Sequence, residues 1–154
     1  MDGSDSWTYK KYSHERRAAE DPAPEFAKNA RVQLSLGEGK SRAGENRNFM
    51  ITKFPTSAIG ETGGRANDYE VQLEHRRDAI VRVLSTRRVF SPRSSFGYEK
   101  DVGPVVCNFP IEDIPVKEWI RFAVRPVNSF ERKGEPIYTE WFRFDGKSIP
   151  KNLA

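Results

Sequence analysis

The side chains that could bind a metal, move a proton or attack a substrate are few in this chain. It has two histidines, His14 and His75, and one cysteine, Cys107. A metal centre needs several His, Cys, Asp or Asn groups converging on one point. His14 lies in a polar N-terminal region, and His75 stands beside Arg76 and Arg77, whose charge opposes a bound cation. Neither is expected to be a ligand. Cys107 cannot form an internal disulfide and sits in the apolar run Val105-Val106-Cys107-Asn108-Phe109, so it reads as a buried, inert thiol. The stretch Gly37-Glu38-Gly39-Lys40-Ser41 has the look of a phosphate loop. Leu34 stands where that motif needs its first glycine, and Arg42-Ala43-Gly44-Glu45-Asn46 follows where a helix should begin, so a turn between strands is expected. No serine or cysteine has a base at a meaningful spacing. No catalytic residue, metal or cofactor is therefore assigned, and the chain reads as a non-enzyme.

Side chains suited to binding are more plentiful. Arg76, Arg77, Arg82, Arg87, Arg88 and Arg93 form a basic cluster. Residues 30–94 carry twelve Lys/Arg against seven Asp/Glu, whereas residues 95–154 carry nine of each, so the net charge of +4 is concentrated there. Arg82, Arg87 and Arg88 are candidates for weak polyanion binding, with a solvated strand face as the plainer alternative. Near the C-terminus, Trp119, Tyr138 and Trp141 are interleaved with Arg121, Arg125 and Arg143. Trp119, Arg121, Tyr138 and Trp141 could form an outward aromatic row that binds carbohydrate, peptide or a neighbouring domain, or could simply close the edge of a sandwich. The charge is too modest to expect a specific nucleic-acid site.

The elements that must position these groups are strands. A length of 154 residues makes one domain the default. With 31% charged residues the chain is soluble in character, while 12% aromatics argue against disorder. No apolar run approaches a membrane span, and the polar N-terminus has no signal-peptide core. The clearest pattern is Trp119 to Asn128, where Ile120, Phe122 and Val124 alternate with Arg121 and Arg125. It is followed by a polar connection with Gly134 and a second run, Ile137 to Phe144. Five earlier strands are expected at Ala30–Leu36, Phe49–Phe54, Asp68–Glu74, Ile80–Phe90 and Val105–Phe109. The prolines of Asp21-Pro22-Ala23-Pro24 mark a linker. The domain boundaries that follow are residues 1–27 as linker or tail of a preceding domain, 28–146 as the folded unit, and 147–154 as a C-terminal tail. Seven short strands with turns between them predict an all-β, seven-stranded antiparallel β-sandwich of the immunoglobulin-like class.

Ile114-Pro115 and the spaced set Ile120, Phe122, Val124, Pro126 and Asn128 resemble the fifth and sixth strands of fibronectin type III domains. Phe54-Pro55 and Tyr69, Val71 and Leu73 are similar to their second and third strands. Ile120 stands at the usual corner tyrosine, and Phe54 at the usual tryptophan. A narrower resemblance runs through Phe54-Pro55, Asp68-Tyr69-Glu70-Val71, Arg88-Val89-Phe90-Ser91-Pro92 and Asn128-Ser129-Phe130…Gly134-Glu135-Pro136-Ile137. Across most of residues 28–144 the chain resembles the C-terminal domain of large bacterial calcineurin-like metallophosphoesterases. That resemblance implies an accessory domain, with Trp7 to Glu20 as the end or exit linker of the catalytic domain and that domain, or another protein domain, as partner. The metal-ligand signatures of the superfamily are absent from this sequence.

Overall fold

The structure, a computed structural model, describes residues 22–57, 66–92 and 103–154. Trp7 to Glu20, His14, Arg93, Phe96 and Tyr98 lie outside the described residues. Two antiparallel sheets face each other. The smaller, in the order β1-β2-β5, holds β1 (Gln33–Lys40), β2 (Asn46–Phe54) and β5 (Val105–Pro110). The larger, in the order β4-β3-β6-β7, holds β3 (Asp68–Arg77), β4 (Ile80–Phe90), β6 (Trp119–Val127) and β7 (Ile137–Tyr138), with β8 (Phe142–Arg143) also on β6. Single 3₁₀ turns follow β5 and close the chain at Lys151–Leu153. The described residues thus form an all-β sandwich.

Alternation decides which side chains enter the space between the sheets. Register sets Leu73 against Phe122 and Val71 against Val124 in the larger sheet, and Met50 against Phe109 in the smaller. All six are buried. Phe109 meets Phe122 across the gap with ring centroids 5.0 Å apart. Thr52, also on an inner face, donates its hydroxyl to the Cys107 carbonyl at 2.9 Å, so its burial leaves no unmet donor.

Several expectations from the pattern need correction. Gly37 to Lys40 continues β1 rather than turning, and the turn is Ser41–Glu45, where Gly44 takes φ 81°. β3 runs three residues past Glu74 and joins β4 through a two-residue hairpin, Asp78-Ala79, with φ of 52° and 67°. Such a loop matches the strand twist, but its left-handed backbone suits Asn-Gly better than Asp-Ala. Ala79→Gly is expected to stabilise the fold by about 1 kcal/mol, read as a higher denaturation midpoint with an unchanged slope; no gain would mean that the hairpin relaxes in solution.

The last expected strand is broken, so eight strands rather than seven are present among the described residues. Tyr138 lies opposite Ala123 and Phe142 opposite Ile120, which leaves three residues on one side facing two on the other. Thr139 covers the break. Its hydroxyl accepts the Phe122 N–H at 3.0 Å while its own N–H donates to the Phe122 carbonyl at 3.0 Å. The extra residue keeps Tyr138 and Trp141 beside the outward arginines while Phe142 and Phe144 remain buried.

The folded unit also extends on both sides of 28–146. Phe26 stacks on Tyr69 at 5.8 Å and meets Phe54 edge-on at 6.2 Å. Its segment crosses so close to Gly134 that a Cβ there would collide with the Pro24 carbonyl. At the other end Leu153 is buried in the core, and the Asn152 amide donates to Glu140 at 3.0 Å. Burial of Phe26 and Leu153 themselves outweighs the loop-like composition that set the boundaries.

Candidate functional site

The outward face of the larger sheet concentrates the charged chemistry. β3 is its central strand and places Asp68, Glu70, Gln72, Glu74 and Arg76 on that face, between residues of β4 and β6. Glu70 is bridged by Lys133 at 2.8 Å and Arg88 at 3.7 Å. Gln72 accepts from Arg125 at 3.1 Å, and Glu74 accepts from the Arg121 Nε at 2.7 Å. Glu70 and Glu74 are buried despite their charge, because the long aliphatic stems of their partners cover them. Asp68 is similarly buried. Its Oδ2 meets Arg88 at 3.4 Å, but its Oδ1 has no partner, and burial pushes its carboxyl up from the usual range against the pull of Arg88.

Beside this ion-paired strip stand six side chains in strict alternation. Arg121 lies 3.9 Å from the Tyr138 ring centroid and 4.5 Å from that of Trp141. Arg76 lies 4.7 Å from Trp141 and 5.7 Å from Trp119. Arg143 completes the series 4.8 Å from Trp119. The order is Tyr138, Arg121, Trp141, Arg76, Trp119, Arg143. Each contact between a guanidinium and a ring contributes roughly 0.5–1 kcal/mol at an exposed site. Together they tie β7 and β8, each two residues long, to β6 and β3.

The aromatic row Trp119, Arg121, Tyr138 and Trp141 is therefore brought together by the fold, and Arg76 and Arg143 join it. The sequence set Arg143 near the row and Arg76 in the basic cluster without assigning either to the row, since Arg76 arrives from β3 and Arg143 through the register of β8. Both lie directly opposite Trp119, so the missing signal was cross-strand register. Arg82, Arg87 and Arg88 are not brought together with the row, nor with one another. Arg88 faces outward within reach of Asp68, Glu70 and, at 2.8 Å, Glu131. Arg87 turns to the other side and lies 5.8 Å from the Phe109 ring. Arg82 lies opposite His75.

His75 Nε2 is 2.8 Å from Glu118 Oε2, and this contact, with Arg77 behind it, holds the Glu118 carboxyl below its ordinary value. Among the described residues no group of three or more His, Cys, Asp and Glu could hold a metal ion. Among them, too, no helix is long and apolar enough to cross a membrane. Burial pushes the Cys107 thiol up to about 11, with Arg87 and Thr52 pulling weakly the other way. At mildly alkaline pH, iodoacetamide is expected to label Cys107 in the unfolded chain and to leave the folded chain unlabelled over the same interval, as read by intact mass. Equal labelling would mean that β5 opens readily.

Asn128 organises the connection between β6 and β7. Its Oδ1 accepts the N–H groups of Phe130 and Arg132 at 2.9 Å each, and its amide donates to the Pro22 carbonyl at 3.3 Å. Comparison of the chain with protein-family models, with curated proteins and with solved structures gives no match.

Proposed function

We propose that this chain is a non-catalytic accessory β-sandwich of the fibronectin type III kind that works by packing the face bearing the Arg–aromatic ladder against another protein domain. The observation that carries the reading is the state of the ladder. Arg76 has no carboxylate partner among the described residues and Arg143 has only a longer-range attraction to Glu118, while Trp119 and Tyr138 are 39% and 44% exposed. A face of half-open rings and guanidinium groups, of which Arg76 and Arg143 lack a close carboxylate, suits a protein surface with acidic and polar groups at its rim. It suits a sugar less well, because guanidinium groups already stack on ring faces that a pyranose would need.

Two further points support the finer reading. The fourth strand pairs with the third rather than joining the sheet of β1, β2 and β5, unlike the constant-type immunoglobulin order. The loop that resembles the C-terminal domain of bacterial metallophosphoesterases is the one Asn128 organises, where Gly134 has no room for a side chain. On this reading the partner is the catalytic domain of such an enzyme.

Hydroxyl-radical footprinting tests the proposal by comparing the isolated chain with the same chain expressed within its whole reading frame. Labelling of Trp119 and Tyr138 should fall several-fold in the longer protein, while exposed Val106 on the opposite sheet stays unchanged. Equal labelling at all three rejects the ladder face as the contact surface. A reading frame that encodes no phosphoesterase domain rejects the identity of the partner.

A further inference from the structure

A second surface lies along β4. This strand is the outermost of the larger sheet and, among the described residues, pairs only with β3. Its far edge therefore offers unpaired N–H and C=O groups along an eleven-residue strand. Natural edges of that length are shortened, covered, or guarded by lysine or proline. On β4 the only such devices are the charges of Arg82, Arg87 and Arg88 and a bulge at Leu84, where Leu73 faces Ser85 and the next residue, Glu74, faces Val83. Five of its side chains, Ile80, Val81, Val83, Leu84 and Phe90, are large, apolar and exposed, and Phe90 reaches 81%. So much apolar surface on one unpaired edge marks a site that another chain covers.

Charge indicates what covers it. No Asp or Glu occurs between Asp78 and Glu99, and Arg82 and Arg87 have no carboxylate partner among the described residues. Both project on the side that faces the smaller sheet, while Val81, Val83 and Phe90 lie on the outer side. A second copy of the chain is a poor occupant. Pairing β4 with β4 of a copy would bring only Arg82, Arg87 and Arg88 to an edge that already carries them, with no acid on either strand to offset them. A strand in which carboxylates alternate with β-branched or aromatic residues fits both sides at once. Its acids reach Arg82 and Arg87, and its apolar residues cover Val81, Val83 and Phe90.

We propose that β4 is a docking edge that accepts an extended, acidic protein segment as a sixth strand of the larger sheet. The edge adjoins the ladder where Val81 lies opposite Arg76, but it is contacted through the backbone of β4 and through Arg82 and Arg87 on the other side, so either reading can fail without the other.

The probe is an acetylated peptide in which glutamate alternates with threonine and valine, with a lysine counterpart as control, added to the full chain. Amide hydrogen exchange should slow over residues 80–90 and stay unchanged over β1, the exposed edge of the other sheet. The glutamate peptide should bind at least roughly tenfold more tightly than the lysine peptide. The double variant Arg82→Glu, Arg87→Glu should reverse that preference. Arg82→Glu alone, at a position outside the core, should weaken it in the same direction. Equal slowing by both peptides, no slowing at millimolar peptide, or slowing confined to the ladder face would each overturn the proposal. So would concentration-dependent dimerisation abolished by Val83→Lys, which would make a second copy the occupant.

Discussion

Replacing Phe122 by alanine is expected to destabilise the fold by about 3–5 kcal/mol, the cost of truncating a fully buried phenylalanine. Its ring sits at the centre of the gap between the sheets, against Phe109 and beside Leu73. Leu73 is on a strand flanked by β4 and β6, and Phe109 is on β5, held by its full pairing with β2, so the cavity has little means of collapsing. Trp119→Ala removes a larger side chain three residues away but should cost only about 1–2 kcal/mol. That ring lies on the outer face, and its loss gives up stacking by Arg76 and Arg143 without opening the core. A pair of denaturant melts on the isolated chain makes the comparison. A greater loss for Trp119→Ala would put the register of β6 off by one residue and turn the ladder inward.

That register was legible because β6 alternates without interruption. Ile120, Phe122 and Val124 carry no charge, while the other parity carries Arg121 and Arg125 on either side of Ala123, so only one assignment of faces avoids burying unpaired cations. The same logic located β4 and most of β2, β3 and β5. It failed where the backbone departs from period two. The run Ile137–Phe144 reads as one strand in sequence, yet alternation carried from Ile137 inward would put Phe142 on the outer face. The inserted residue at Thr139–Trp141 restores burial of Phe142, and its cause is a bond between the Thr139 hydroxyl and a backbone N–H of another strand. No local pattern reports such a bond. The ends of the unit were misplaced for a related reason. Phe26 and Leu153 are single apolar residues in polar surroundings, and only the fold shows that Tyr69 and the core are within reach.

The binding face was half legible. Trp119, Arg121, Tyr138 and Trp141 could be chosen because they fall on two adjacent strands whose pairing the hairpin implied. The arginines that complete the ladder depend on how β3 and β8 are set against β6. Conversely, Arg82, Arg87 and Arg88 form a cluster only along the chain. The period of two sends Arg87 and Arg88 to opposite sides, and the carboxylates of β3 neutralise the one that faces outward. A hint was available in Asp68, Glu70 and Glu74, acids at even spacings on one strand, which need cations on the flanking strands.

Arg121→Ala tests the join between that ion-paired strip and the ladder, and it should be as damaging as a core truncation. Glu74 is only 7% exposed, and the Arg121 Nε at 2.7 Å is its one close cation among the described residues. Removing the guanidinium strands a buried carboxylate, for which about 3–5 kcal/mol is the usual cost. It also takes away the cation between Tyr138 and Trp141, the contacts that hold β7 beside β6. Glu74→Gln alone should cost much less, because the Arg121 head retains access to water and keeps both rings. Adding Glu74→Gln to Arg121→Ala should then recover most of the loss, since the amide can be buried more cheaply than the charge. The readout is a double-mutant cycle of denaturant melts at neutral pH, with Arg143→Ala as a reference at the exposed end of the ladder, expected to cost under about 1 kcal/mol. A loss for Arg121→Ala no greater than that reference would show that Glu74 is solvated and that the ladder does not bear on stability. No recovery in the double variant would assign the loss to the rings rather than to the stranded charge.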